Sequence, residues 1–451
     1  MATTFDGGSQ TPITSSTEAF LLQAATITIK GGRTIDLTNV ILEIEVFEDI
    51  FKSSITGSIT INDFVGGLEK YIFTGGETLT LKAGMPSEGN TTLINRDNLI
   101  VHEFSKIKAN STNSLRYKLY FTSDSALNSH KRRVFKSSGV ERNVGNMVKY
   151  LYSRMSNSET STNVKVKASD VWLPSPYVSP GYSPIDAINS LAKRTSADGK
   201  YYVFYERLNY NSSGESYHHY FTSIDDIIRD TDPNKIPTIK YSPAGNYFST
   251  TTPEYNIRAK TVEFQNNYNH LSAMAGGFYN SRVRSLDVLT RRYSDTKISY
   301  KEMSDGSGGT SYLGKYLDSS NYFSSYGEND FPGERLIVSA MNDPFRDRKA
   351  WIKNDTYGAF LNSSIRITVD VAGGTNRIGV GDVVDFRFPS RSHKSLNLED
   401  TTVPDDIVYS GRYIVTACRH TITRLGYTKK LEVSRGNFRL NIDQLISQNG
   451  V

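Results

Sequence analysis

The chain has 451 residues, of which 37 % are hydrophobic and 22 % charged, with a formal net charge of +5. That length exceeds a single core and predicts two to four domains, while so small an overall excess of positive charge does not mark a nucleic-acid-binding protein. The one cysteine, Cys418, excludes an internal disulfide and a cysteine metal cluster, and it reads as a buried free thiol in a strand.

Residues 1–20 are rich in Ser, Thr and Gly and are expected to form a flexible N-terminal arm that orders against a partner. Met1 to Gln10 has neither the basic start nor the apolar core of a signal peptide. No stretch of the sequence approaches the roughly 20 apolar residues of a membrane span, so no membrane insertion is expected. Ile27 and Ile29, then Leu42, Ile44 and Val46, then Ile55, Ile59 and Ile61, then Leu79 and Leu81, and finally Leu115, Tyr117, Leu119 and Phe121 fall at strand spacing. Gly31-Gly32, Gly66-Gly67, Gly75-Gly76 and Pro86 to Gly89 separate them as turns, which predicts a first β-barrel over 21–123.

The pattern changes near residue 124. Val144, Met147, Val148 and Leu151 repeat at the helical period. A proline-rich loop from Pro174 to Pro180 follows. Ser183 then reads as an N-cap, with Pro184 at the first helical position and Asp186 in the first turn, ahead of the buried face Ile185, Ile188, Leu191 and Ala192. Gly199 is expected to end this helix, and Tyr201 to Glu206 to begin a strand. Segment 124–258 is therefore an α+β middle module.

From about Lys260 the β pattern returns, at Thr261 to Phe264 and Phe278 to Leu286, and 259–438 is predicted to be a second barrel. It carries an expected long loop at 303–334 and an expected helix at 343–361. Ile365, Ile367, Val369 and Val371 alternate strictly with Arg366, Thr368 and Asp370. Ile378 to Asp382 leads into Val384, Phe386 and Phe388, and two further strands run from Gly411 to Ile422 and from Gly426 to Phe438. Residues 439–451 form a C-terminal tail. The fold class expected is mainly β, with two tube-like antiparallel barrels and an inserted helix-containing domain. The 28 Tyr and 21 Phe beside 2 Trp suit a β-rich structural protein with wide interfaces.

Candidate chemistry is sparse. His218-His219 is a tempting metal pair, but neighbours on a strand face opposite ways and no third ligand lies at useful spacing, so an exposed strand is the expected reading. Glu43 and Glu45, Glu48 and Asp49, Asp225 and Asp226, and Asp405 and Asp406 pair carboxylates by adjacency. A glycosidase needs two facing carboxyl groups, which adjacency does not supply. Glu43 and Glu45 read as the polar face of a strand. Asp305-Gly306-Ser307-Gly308-Gly309 lacks the lysine of a phosphate loop, and no nucleophile elbow or zinc-protease motif is present. Lys131-Arg132-Arg133, with Phe135 and Lys136, reads as a solvated face rather than a phosphate site, and Arg282, Arg284, Arg291 and Arg292 as the polar face of a strand. No catalytic, cofactor or metal residue is assigned, and no enzyme activity is expected.

Two stretches carry a family resemblance. Val380-Gly381-Asp382, Gly411, Tyr413, Val415, His420, Tyr427, Thr428, Leu431 and Arg435 resemble the C-terminal barrel of baseplate hub proteins of contractile-tailed bacteriophages, the tail hub or late control protein D-like family. Val40 to Phe51 followed by Gly57 to Asp63 resembles the first barrel of the same hubs. Together they cover about a third of the chain. The resemblance implies a homotrimer whose six barrels form a pseudo-sixfold ring joining the sixfold tail tube to a threefold central spike around the genome channel. It implies as partners the spike protein, tail tube or tail terminal ring proteins and baseplate wedge proteins. DNA would transit without specific binding, in a virion tail assembled in the bacterial host cytoplasm. His420 would be structural. Interfaces are expected at the arm 1–20, the strand pair around Ile44 and Ile59, and the tail from Gly436. The alternative reading is a carbohydrate- or receptor-binding β protein of a tail fibre or spike, with or without glycan hydrolase activity.

Overall fold

The computed structural model describes residues 21–29, 32–64, 73–84, 92–111, 114–135, 141–155, 163–168, 170–173, 177–195, 200–208, 217–241, 256–266, 280–286, 291, 293–299, 334–339, 365–373, 378–390, 405–406, 409–423 and 426–435. The predicted arm 1–20, most of the loop 303–334, the helix 343–361 and the tail 439–451 lie outside the described residues, as do Lys136, Arg292 and Asp305 to Gly309.

The fold is mainly β, and among the described residues the α-helices lie in the middle of the chain. Seven strands open the chain: β1 (Leu21–Thr28), β2 (Thr34–Asp36), β3 (Ile41–Asp49), β4 (Thr56–Asp63), β5 (Glu77–Gly84), β6 (Thr92–Ser111) and β7 (Ser114–Ser123). They pair in the order β3-β4-β7-β6-β5-β1-β2. The edges of this sheet, β2 and β3, are joined by the short link 37–40, where the Leu37 N–H donates to Ala25 and the Asn62 N–H to Val40. The sheet encloses the predicted apolar set, with Ile27, Ile44, Ile59, Ile61, Leu79, Leu81, Leu119 and Phe121 all fully buried. Gly57 is required here, because a Cβ would overlap the Phe121 ring.

Four short α-helices and three strands follow: α1 (Asp124–His130), α2 (Val144–Ser153), β8 (Val164–Val166), α3 (Pro184–Thr195), β9 (Tyr202–Glu206), β10 (His219–Ser223) and α4 (Ile224–Arg229). The sheet β8-β10-β9 backs the helices. Val144, Met147, Val148, Leu151, Ile188 and Leu191 pack on Phe204 and Phe221 as their periodicity predicts. Ser183 Oγ accepts the Asp186 N–H at 3.2 Å and donates to its carboxylate at 2.6 Å. Ser223 and Asp226 repeat this device at α4, at 3.0 and 2.6 Å. The third helix stops at Thr195, ahead of Gly199, which is not among the described residues.

The remaining strands are β11 (Thr238–Tyr241), β12 (Asn256–Asn266), β13 (Asn280–Leu286), β14 (Tyr293–Ser299), β15 (Glu334–Ser339), β16 (Ile365–Ala372), β17 (Val383–Arg387), β18 (Gly411–Thr423) and β19 (Gly426–Arg435). Six of them close a barrel, β17-β11-β12-β16-β19-β18, with β17 pairing back onto β18. Thr238–Tyr241, inside segment 124–258, is thus a barrel strand, held in parallel ladders to β12 and β17. Its core contains Ile367, Val369, Val371, Val384, Phe386, Leu431 and Val433. The small sheet β14-β13-β15 stands apart, with Arg282 and Arg284 both donating to Asp295.

A ladder between β18 and β3 fuses the two β regions into a single 13-stranded sheet. An interface at the strand pair around Ile44 and Ile59 would therefore use a face of these strands and not their edges. Both edges of β3 and of β4 are paired within the chain, and both isoleucines are fully buried.

Candidate functional site

The ladder that joins the two β regions is also where buried polar groups gather. Ile44, Val46 and Glu48 share one face of β3, and Cys418, His420 and Ile422 share one face of β18, as the two-residue period of a strand dictates. Ile422 and Tyr427 belong to the first apolar core, Cys418 and Leu431 to the second. Between these cores lies a polar belt of Glu48, His420 and Lys429, all of them buried.

His420 Nε2 donates to Glu48 Oε2 at 2.9 Å, and Nδ1 accepts the Tyr427 hydroxyl at 2.7 Å, which sets the neutral tautomer. The other Glu48 oxygen accepts the backbone N–H of Leu208, brought in by the segment after β9. Burial pushes the Glu48 carboxyl up, but its hydrogen bonds and the neighbouring charge hold it below the usual carboxylate range. Burial pulls His420 below the usual imidazole range, despite the Glu48 charge. Lys429, pushed down to about 8 by burial, donates to the Ile378 carbonyl at 3.1 Å. Arg207 grips Asp382 through two bonds of 2.7 and 2.6 Å, tying the middle module to the turn before β17.

A second buried set adjoins it. Glu206 accepts the Ile55 N–H at 3.0 Å and pairs with Arg96 at 3.3 Å, and Arg96 also donates to the Arg207 carbonyl at 2.6 Å. His219 stacks on Phe204 and meets the Tyr152 hydroxyl at 3.2 Å. This overturns the reading of His218-His219 as part of an exposed strand. His219 is 2 % exposed, because β10 is the central strand of its sheet. Burial depresses His219, and depresses His218 to about 4.

Glu48, Cys418 and His420 have ligand atoms within 4.8 Å of one another, the one such grouping among the described residues. Their donors are already engaged by one another and by Leu208. Lys429 and Arg207 supply positive charge to the same belt, so the group does not fit a metal ion. Tyr427, His420 and Glu48 form a proton relay in outline, but none is more than 1 % exposed, so no substrate reaches it. The arrangement acts as a lock between three parts of the chain, in which the hydrogen bonds of His420 join β18 to β3 and β19.

Members of the other carboxylate pairs take structural partners. Glu45 does lie on the outer face of β3, yet it is buried there beneath Arg419 and Lys118 and accepts Ser58 Oγ at 3.0 Å. Asp405 pairs with Arg387 at 2.8 Å, and Asp406 accepts the Tyr409 N–H at 2.8 Å. Sequence reasoning missed Arg207, Asp382, Arg96 and Glu206 as a group, since their only common signal is charge in strands and turns that otherwise read as apolar. Cys418 is buried and free as expected.

No family model matches the chain, and no curated protein matches it in sequence. Solved structures do match in fold. The 43 kDa tail protein of prophage MuSo2 from Shewanella oneidensis is 9 % identical, with a TM-score of 0.53, and the alignment covers 92 % of this chain and 98 % of that one. A tail protein from Neisseria meningitidis MC58 is 11 % identical with a TM-score of 0.50, over 91 % and 96 % of the two chains. The chain therefore has the fold of these tail proteins, over nearly its whole length. No described helix is long and apolar enough to cross a membrane.

Proposed function

We propose that the chain is a structural hub of a phage tail baseplate. Three copies would form a ring in which two barrel-like units per chain give six positions about the axis, matching a sixfold tail tube to a threefold central spike. The observation that carries this reading is the β18–β3 ladder with its buried lock. It fixes two β units of one chain side by side as a rigid pair, which a pseudo-sixfold ring built from three chains requires. The shared fold with two tail proteins supports it.

Under this reading the division of the chain is an arm at 1–20, units at 21–123 and 259–438 with a contribution from 238–241, the middle module at 124–258, and a tail at 439–451. The partners are a second and third copy, the spike, tail tube or terminal ring proteins, and wedge proteins. The genome passes through the central channel without sequence-specific contact. The protein works mechanically and not as an enzyme, and it resides in the virion tail after assembly in the host cytoplasm.

Light scattering of the purified chain, with negative-stain images of the same fractions, tests the ring. Three chains of 50.4 kDa give about 150 kDa and a particle with a central hole. A monomer that binds glycans and stays monomeric when mixed with a spike protein contradicts it.

A further inference from the structure

The net charge of the protein is unevenly placed. Segment 124–195 holds eleven Lys and Arg against five Asp and Glu, a net of +6, while the whole chain is +5, so the other 379 residues sum to −1. Within that segment Lys131, Arg132 and Arg133 leave the end of α1 exposed, and among the described residues neither Lys131 nor Arg133 has an ion-pair partner. Val134 then turns inward and bridges Tyr182, its N–H donating to the Tyr182 carbonyl at 2.9 Å. Phe135, the next residue, is 79 % exposed.

The phenyl ring of Phe135 is not loosely placed. It lies over Gly181, whose φ is +92° and whose missing Cβ would come within 2.6 Å of the ring. Ser179 Oγ anchors the same bridge through the Val134 carbonyl at 2.7 Å, which leaves Val178 beside it 54 % exposed and Tyr182 42 % exposed. Exposed apolar side chains bordered by cations that have no ion-pair partner among the described residues have the make-up of a protein interface, where aromatic side chains and Arg anchor the centre.

We infer that this face, Lys131 to Phe135 with Val178 and Tyr182, docks an acidic surface carrying an apolar anchor on a different structural protein of the same particle. The inference rests on the reading of the chain as a baseplate component. Charge argues against the same face of a second copy as the occupant, since its cations would meet like charge. Nucleic acid would pair with the cations but would leave Val178 without a partner.

Carbodiimide cross-linking of purified tail particles tests the inference, because it joins a lysine amine only to a carboxylate in direct contact. Lys131 should be joined to an Asp or Glu of another structural protein. Particles carrying Arg133→Glu or Phe135→Ser should lose about tenfold of that product, while the purified variant chains keep an unchanged thermal midpoint because both side chains are exposed. Linkage of Lys131 to another copy of this chain overturns the inference in favour of a self-interface. Protection of Lys131 that nuclease treatment removes overturns it in favour of DNA. A chain present in the particle with Lys131 open to a small amine-reactive reagent overturns it outright and leaves the baseplate reading standing. Absence of the chain from the particles overturns both.

Discussion

Glu48 on β3 accepts the Nε2–H of His420 on β18 at 2.9 Å, although 372 positions separate them in sequence. The bond sits where two apolar cores meet, and the second oxygen of the same carboxylate holds Leu208 of the middle module. One side chain thus fixes three parts of the chain against each other. The sheet continuity across β18 and β3 provides the backbone of that fixed relation.

Replacing Glu48 by Gln keeps the shape but offers one acceptor where two N–H donors converge. One donor is then left facing an amide NH2 inside the core. The expected cost is about 3 kcal/mol of folding free energy, read as a lower denaturant midpoint with an unchanged slope. A loss below about 0.5 kcal/mol contradicts the lock.

Acid should weaken the protein from two sides. His218, His219 and His420 have depressed pKa values in the folded state, so the unfolded chain binds more protons below the ordinary imidazole value near 6.5. Stability is then full above that value and falls as pH drops toward about 4, where His218 titrates. Glu48 is also depressed, so its contribution is present above the ordinary carboxylate pKa and is lost as pH falls through the folded value. Thermal midpoints between pH 8 and pH 4 should decline, and His420→Gln should flatten the upper part of that decline. A midpoint that is constant over the range contradicts the assignment of buried neutral histidines.

Gly381 sits at φ +85° in the turn before β17, and a Cβ there would overlap the Tyr205 hydroxyl of the middle module. Gly381→Ala combines backbone strain with a clash and is expected to cost about 2–4 kcal/mol. Chemical denaturation of Gly381→Ala, alone and combined with Tyr205→Phe, checks the origin. The double variant should recover part of the loss, because the clashing atom is the phenolic oxygen.

Cys418 is buried, and burial pushes its thiol well above the ordinary range. Iodoacetamide should leave the native protein unlabelled at pH 8 and modify it fully in denaturant. Rapid native labelling, measured by intact mass, contradicts the placement of Cys418 between the cores.

Much of the fold is legible in alternation. In Ile365 to Val371 and Tyr117 to Phe121 the alternating apolar residues are buried and Arg366, Asp370, Lys118 and Tyr120 between them are partly exposed, so their sequence reports their geometry, with the buried Thr368 as the exception. The twenty-residue β6 is not legible, because register shifts at Val101/Glu103, Lys106/Lys108 and Ala109/Ser111 interrupt its two-residue period. Ile378 to Asp382, which leads into Val384, is a turn in which Gly381 takes a positive φ and Asp382 receives both Arg207 and the Gly379 N–H. The burial of His219 is not legible locally, because the groups that bury it, Tyr152, Phe204 and Glu206, arrive from other elements. The lock itself has no local signature, since a charge in a strand looks the same whether it faces water or a partner 372 positions away.

The central claim concerns where and how often the chain occurs in a tail. Cryo-electron microscopy of intact particles, with this chain fitted into the axial density, answers both questions at once. The account predicts three copies around the axis, directly between tube and spike, with the two β units of each chain alternating around one ring. Six or more equivalent copies, or a position at the particle's periphery, would contradict it.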